Sequence, residues 1–107
     1  MPANAIRLQA LRDLHEKDPR DAFAAYGLAM ELARDPETEV EAVSVFRRLN
    51  EENPGYLPAY YQLGRLLARR GGEAAARRVY EEGIAVAGRA GDLHTREELE
   101  AALASLG

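Results

Sequence analysis

Two stretches of this chain carry the same kinds of side chain at the same intervals, and that self-similarity limits what it can fold into more than any other feature. The segment PAYYQLGRLLARRGGEAAARRVYEEGI, residues 58–84, supplies Tyr60, Leu63, Gly64 and Leu67, then Ala76 and Tyr80. An earlier segment supplies Phe23, Tyr26, Gly27 and Met30, then Ala42 and Phe46. Both read aromatic-x-x-apolar-Gly-x-x-apolar followed by Ala-x-x-x-aromatic. They differ between the two halves of the pattern, where 11 residues separate Met30 from Ala42 and 8 separate Leu67 from Ala76. The period is thus about 37 and then about 34 residues, in the range that signals stacked helical repeats. A glycine inside an apolar helical stripe weakens a helix by roughly 1 kcal/mol relative to alanine. Its presence at 64 implies that a neighbouring helix needs the space.

Apolar residues recur every three to four positions along most of the chain, and period-two runs of β-branched residues are missing, so the expected secondary structure is helical throughout. Punctuation gives six segments. The first, about 4–17, stops before Asp18-Pro19, because proline disfavours helical geometry in the residue before it. The second, about 20–34, stops at Asp35-Pro36; the third starts at Thr38, which with Glu41 forms a T-x-x-E capping box, and ends at Asn53-Pro54-Gly55. The fourth covers about 57–70, and Gly71-Gly72 turns the chain into a fifth, about 73–88. After a loop, Thr95 and Glu98 make a second capping box for a last helix that stops at Gly107.

The repeated residues resemble the tetratricopeptide repeat, whose pattern is Trp-x-x-Leu-Gly-x-x-Tyr, then Ala-x-x-x-Phe, then Pro. The resemblance covers about residues 4–90. It implies an all-α fold, a right-handed α-solenoid of antiparallel helix pairs, with about six helices including a C-terminal capping helix. The expected organisation is one domain over 1–107: a half repeat at 4–17, repeats at 20–56 and 57–90, and the capping helix at 94–107. Gly27 and Gly64 are expected to bring the first helix of each pair close to Ala42 and Ala76, with Phe46 and Tyr80 filling the space beside them. Pro54 matches the closing proline, and Pro19 suggests the same role for the half repeat. Phe23 and Tyr60 stand where the family has Trp, Met30 and Leu67 where it has Tyr, Gly88 where it has Pro, and Arg7 where the half repeat calls for alanine.

The function this implies is a non-catalytic protein-protein interaction module. In the family, the first helix of each pair lines the concave face on which peptides or helices bind. With the core stripe placed on Phe23, Tyr26, Gly27 and Met30, the inward positions are Ala24, Leu28, Glu31 and Leu32; on the 57–70 helix they are Tyr61, Gln62, Arg65 and Arg69. Together these would make an apolar groove with an arginine edge, suited to a protein or peptide partner bearing an acidic group. The alternative is that Leu28, Leu32 and Tyr61 are covered by the C-terminal helix or by a second copy. The clamp of Lys and Asn with which some family members hold chaperone C-termini is replaced here by Ala24, Leu28, Tyr61 and Arg65. A separate expectation attaches to the first helix, where Ile6, Ala10, Leu14, Leu11 and Leu8 spread over roughly 200°, wider than one neighbour covers. Ile6, Leu8 and Leu11 are therefore candidates for homo-oligomeric self-association, whereas Leu99, Leu103 and Leu106 occupy the narrow sector of a cap.

Other functional classes find little support. The chain has no cysteine, which excludes disulfides and thiolate chemistry, and its two histidines, His15 and His94, lie far apart at helix ends. No catalytic residue, metal ligand set or cofactor motif is identified. Glu51-Glu52, Glu81-Glu82 and Glu97-Glu98 read as solvated faces, and Gly71-Gly72 lacks the frame of a phosphate-binding loop. A net charge of −4 argues against a general nucleic-acid binder. Arg47-Arg48, Arg69-Arg70 and Arg77-Arg78 split between helix faces and have glutamates one turn away. No stretch approaches the ~20 apolar residues that cross a bilayer. The N-terminus MPANAIRLQALRDL shows no apolar leader core, so a cytoplasmic protein without membrane contact is expected.

Overall fold

The protein, described by a computed structural model over residues 3–106, is built from six α-helices, with no strand among the described residues. They are α1 (Ala3–Lys17), α2 (Ala22–Leu32), α3 (Glu39–Glu52), α4 (Pro58–Arg69), α5 (Glu73–Ala90) and α6 (Leu93–Ala104), and a short 3-10 turn, Pro36–Thr38, precedes α3. The expected stop at Gly107 lies outside the described residues. Packing divides the chain after Asn53 into two compact units, one holding α1–α3 and the other α4–α6.

Helix ends follow local chemistry. The carboxylate of Asp21 accepts from the Phe23 N–H at 3.0 Å and starts α2. Pro58 opens α4, where its missing N–H is no loss. α4 and α5 both end on glycines with positive φ, Gly71 at 84° and Gly91 at 73°. The residue after each closes a six-to-one bond, Gly72 N–H to Leu67 C=O at 2.8 Å and Asp92 N–H to Ala87 C=O at 3.0 Å. α5 therefore runs beyond the expected stop at Gly88, which is interior to the helix.

Neither capping box forms. Thr38 makes no side-chain cap to α3; its hydroxyl instead donates back to the Leu32 carbonyl at 2.6 Å, closing the end of α2. Glu41, the other member expected in that box, holds Arg12 of α1 through two hydrogen bonds, one of 2.9 Å. At α6 the cap is Asp92, whose carboxylate accepts from the Thr95 N–H at 3.0 Å and the Thr95 hydroxyl at 2.8 Å.

In the unit holding α4–α6, the packing depends on glycines. A Cβ on Gly64 would lie 2.2 Å from Tyr80 Cε1, so the tyrosine ring rests directly on the bare α4 backbone. One turn away the exchange is reciprocal, since a Cβ on Gly83 would meet Tyr60 Cβ at 2.7 Å and Leu99 Cδ1 at 3.0 Å. Contacts that run 60 to 83 and 64 to 80 make α4 and α5 antiparallel. Tyr60 is buried, and its hydroxyl donates to the Pro54 carbonyl at 2.7 Å, while Leu99, also buried, brings α6 onto α5.

In the other unit, Arg7 donates to Glu31 at 3.2 Å and Leu11 lies against Gly27, so α1 and α2 are antiparallel. Tyr26 meets Phe46 edge to face at 6.3 Å between ring centroids, joining α2 to α3. The core stripe of α2 is Ala25, Leu28, Ala29 and Leu32. It is displaced by two residues, or about 200° of helix rotation, from the stripe expected on Phe23, Tyr26, Gly27 and Met30. Phe23 is 78% exposed, and Leu28 and Leu32 are 3% and 0% exposed. The reason is that Gly27 makes room for Leu11 of α1 and not for Ala42 or Phe46 of α3. With α2 so placed the repeat is a uniform 34 residues: Ala25 with Ala59, Tyr26 with Tyr60, Leu32 with Leu66, Ala42 with Ala76, Phe46 with Tyr80, and the starts of α3 and α5 at Glu39 and Glu73.

The two glycines at first thought equivalent should respond differently. Gly64→Ala is expected to destabilise by about 1–3 kcal/mol through overpacking against the buried Tyr80 ring. Gly27→Ala, whose Cβ would meet only Leu11 Cδ2 at 3.4 Å, is expected to be neutral or to stabilise by up to about 1 kcal/mol through helix propensity. Urea unfolding of the two variants beside the parent chain decides; equal effects would refute the contact described here.

Candidate functional site

The inward positions expected on α2 are not a groove floor. Leu28 and Leu32 are core side chains, and Glu31 is buried with Arg7 at 3.2 Å and Arg34 at 3.6 Å on its carboxylate. A buried carboxylate flanked by two guanidiniums is internally satisfied and has little left to offer a ligand. It also accounts for Arg7, the residue that departs from the repeat pattern. Ala24 is half-buried beside them. At the 34-residue period, the counterparts of Tyr61, Arg65 and Arg69 are Gly27, Glu31 and Asp35. The first repeat therefore carries different chemistry at the positions where the second carries an aromatic and two arginines.

On α4 the expected residues remain accessible. Tyr61 and Gln62 are half-buried, and Arg65 and Arg69 are exposed. Helical spacing puts Tyr61, Arg65 and Arg69 in one row, opposite the face that Tyr60, Leu63, Gly64 and Leu67 bury. The Arg65 guanidinium carbon lies over the Tyr61 ring, 5.8 Å from its centroid, where the ring's negative face stabilises the cation. Beside this pair a cleft of about 250 Å³ opens between α4 and α6. Leu57, Pro58 and Tyr61 line one side and Thr95, Glu98 and Leu99 the other, with Gln62 also present. Leu99 is fully buried, and the Thr95 hydroxyl is committed to Asp92. Glu98, released from the expected capping role, has the His94 imidazole 3.5 Å from its carboxylate, an ion pair only when the histidine is protonated. The α6 side of the cleft was missed in the sequence because Thr95-x-x-Glu98 read as a helix cap. Asp92, one position before the helix, is the residue that would have signalled otherwise.

Of the self-association candidates on α1, Ile6 is 60% exposed, whereas Leu8 and Leu11 are half-buried and Leu11 touches Gly27. Leu14 is 53% exposed. A second, smaller cavity of about 110 Å³ lies where His15, Pro19 and Ala25 face Ser44, Arg48 and Glu52. The His15 Nδ1 is buried there without a hydrogen-bond partner among the described residues. Arg48 and Glu52 pair with each other at 3.3 Å, and Arg77 with Glu73 at 3.4 Å, as solvated helix faces do. Among the described residues no three His, Cys, Asp or Glu side chains gather to hold a metal ion, and no helix is long and apolar enough to cross a membrane.

Antiparallel helix pairs repeating every 34 residues, with glycine at the close approach of α4 and α5, define a helical-repeat protein. Comparison with solved structures identifies which. The solution NMR structure of a tetratricopeptide repeat domain protein from Salinibacter ruber matches with a TM-score of 0.77 at 34% identity, covering 83% of this chain and 89% of that one. A crystal structure of a tetratricopeptide repeat domain protein from the same organism matches with a TM-score of 0.73 at 32% identity, covering 80% of this chain and 96% of that one. The chain belongs to the tetratricopeptide repeat family, an all-α repeat fold of the protein-interaction kind. The sequence matches no protein-family model and no curated protein.

Because α6 forms one wall of the cleft, its cap bears on the site. The two Thr95 hydrogen bonds, backbone first, hold the Asp92 carboxyl below its ordinary value of 3.8. A carboxyl depressed in the folded state contributes stability that is full above the unfolded pKa and is lost as pH falls through the folded one. Asp92→Ala should therefore lower the thermal midpoint at pH 7, with the gap to the parent chain closing progressively below about pH 4. Thermal melts from pH 7 to pH 2 test this; a gap that does not change with pH would place the effect elsewhere.

Proposed function

We propose that this protein is a non-catalytic adaptor that binds a segment of a protein partner on the α4 face and in the adjoining α4–α6 cleft. The observation that carries this reading is the Arg65–Tyr61 pair: a cation already held over an aromatic ring, whose tyrosine lines a recess of mixed polarity with Leu57 and Pro58 on the same wall. Such a pair suits a ligand with an acidic group for the guanidinium and an apolar side chain for the recess. Gln62 supplies a neutral hydrogen-bonding group, and Arg69, one turn further along, extends the cationic row. The groove envisaged from the sequence, with Ala24, Leu28, Glu31 and Leu32, contracts to its α4 half, since Leu28 and Leu32 are already committed to the core.

Binding of a displayed peptide library to the full chain tests the reading. Peptides joining an acidic to an apolar residue are expected to be enriched, and Arg65→Glu is expected to weaken the best of them by about tenfold or more, equivalent to about 1.4 kcal/mol. Circular dichroism should show unchanged helicity in that variant. Retention of full affinity would move the site off this face.

A second reading, self-association through α1, is favoured by the exposure of Ile6 and Leu14, two large apolar side chains two turns apart on one face. If it holds, sedimentation equilibrium will give a concentration-dependent mass that Ile6→Glu reduces to that of a monomer. A monomer at every concentration in the parent chain removes it.

A further inference from the structure

The α4–α6 cleft has a charge of its own, the Glu98 carboxylate on the α6 wall, opposite in sign to Arg65 on α4. We propose that the site reads an extended segment of pattern acid-x-apolar with a basic residue adjacent to the apolar one: the acid on Arg65, the apolar side chain in the cleft, and the base on Glu98. This rests on the reading of the Arg65–Tyr61 face as the binding site.

The spacing comes from the observed pair: the Arg65 guanidinium carbon stands 5.8 Å from the centroid of the Tyr61 ring, which lines the cleft. Side chains on one face of an extended segment recur every second residue, at about 6.6–6.8 Å. An acid two positions from an apolar anchor thus matches the separation of the Arg65 guanidinium from the ring at the cleft wall, and a cleft of about 250 Å³ admits side chains and not a whole helix. The charge at the other position follows from what the remaining groups already do. The Thr95 hydroxyl donates to Asp92, Gln62 is neutral, and Asp92 is engaged in capping. Glu98 alone of the cleft-lining residues carries a charge, and its neighbour His94 forms an ion pair with it only when protonated. A carboxylate in a cleft that also presents Leu57, Pro58 and Tyr61 favours Lys or Arg, whose aliphatic stem covers apolar area while its head reaches the charge. It also disfavours an acid there. Arg65 and Glu98 together therefore give the site a polarity that fixes which way round the segment lies.

The displayed library is selected against the full chain as wild type, Arg65→Glu, Glu98→Gln and Glu98→Lys, with circular dichroism on each. The wild type is expected to enrich acid-x-apolar peptides with Lys or Arg beside the apolar residue. Glu98→Gln should erase the preference at that neighbouring position. Glu98→Lys should convert it to Asp or Glu, with the acid-x-apolar preference kept in both variants. If the wild type shows no basic preference, or Glu98→Lys leaves it intact, while Arg65→Glu abolishes the acidic one, the Glu98 assignment is overturned and the Arg65 reading stands. Arg65→Glu selecting the same peptides as wild type overturns the underlying reading. Enrichment at a four-residue spacing overturns the extended conformation, and no enrichment by the wild type overturns both proposals.

Discussion

The unit that holds the candidate site depends on one exchange: Tyr80 rests on Gly64 and Tyr60 rests on Gly83. The Tyr80 ring and the base of the Tyr60 side chain each occupy the volume that a Cβ on the facing helix would need, so α4 and α5 approach more closely than two helices of ordinary side chains can. Aromatic packing on bare backbone has little tolerance, because a buried ring cannot withdraw as the end of a lysine or methionine can. Burial also pushes the hydroxyl pKa of both tyrosines upward, and the Tyr60 hydroxyl donates to the Pro54 carbonyl. A second consequence follows for α6, since Gly83 admits Leu99 as well as Tyr60. One missing side chain on α5 therefore fixes two neighbours, and with them both walls of the cleft.

That arrangement also explains why the candidate site residues lie where they do. Tyr60 and Tyr61 are adjacent in sequence and point about 100° apart on the helix. One is consumed by the α4–α5 contact and the other is left at the cleft. The same division applies to Gly64 and Arg65: the residue that permits close packing is followed by the residue that faces outward. Core and candidate site are interleaved along α4, so a substitution in the stripe that binds Tyr80 would disturb the binding row indirectly. Charge reversals at Arg65 or Glu98, both outside the packed stripe, separate recognition from folding.

How much of this was legible in the sequence differs between the two repeats. In the second, the Tyr-x-x-Leu-Gly pattern, the glycine turn and the alanine and tyrosine of α5 all bear on one contact, and the resulting picture of α4 and α5 matches the structure. In the first, Gly27 was a false landmark. Its position in Tyr-Gly matches Leu63-Gly64 only if three residues are inserted before α3, yet Tyr26, Leu32, Ala42 and Phe46 align with Tyr60, Leu66, Ala76 and Tyr80 at a constant 34. Met30 is the residue at the Gly64 position. A glycine records that something comes close without saying what. At 27 the approaching group is Leu11 from the preceding helix, a contact that pattern within one repeat cannot reveal. The missed cap at Asp92 has a similar origin, because Thr95-x-x-Glu98 satisfies a capping pattern three residues too late.

The same repeat backbone then carries two chemistries. Thirty-four positions before Arg65 stands Glu31, buried and bridged to Arg7 and Arg34, a charge neutralised within its own unit. Removing either arginine would leave the carboxylate partly uncompensated, and removing Arg7 would also take away a tie between α1 and α2, which is a structural role. Arg65 is different, because its contact is a neutral ring that leaves the full positive charge available to a carboxylate. A repeat protein gains no recognition from periodicity itself, since the periodic residues are the ones that pack. The proposed recognition lies where the period is broken at accessible positions, and Arg65 in place of Glu31 is such a break.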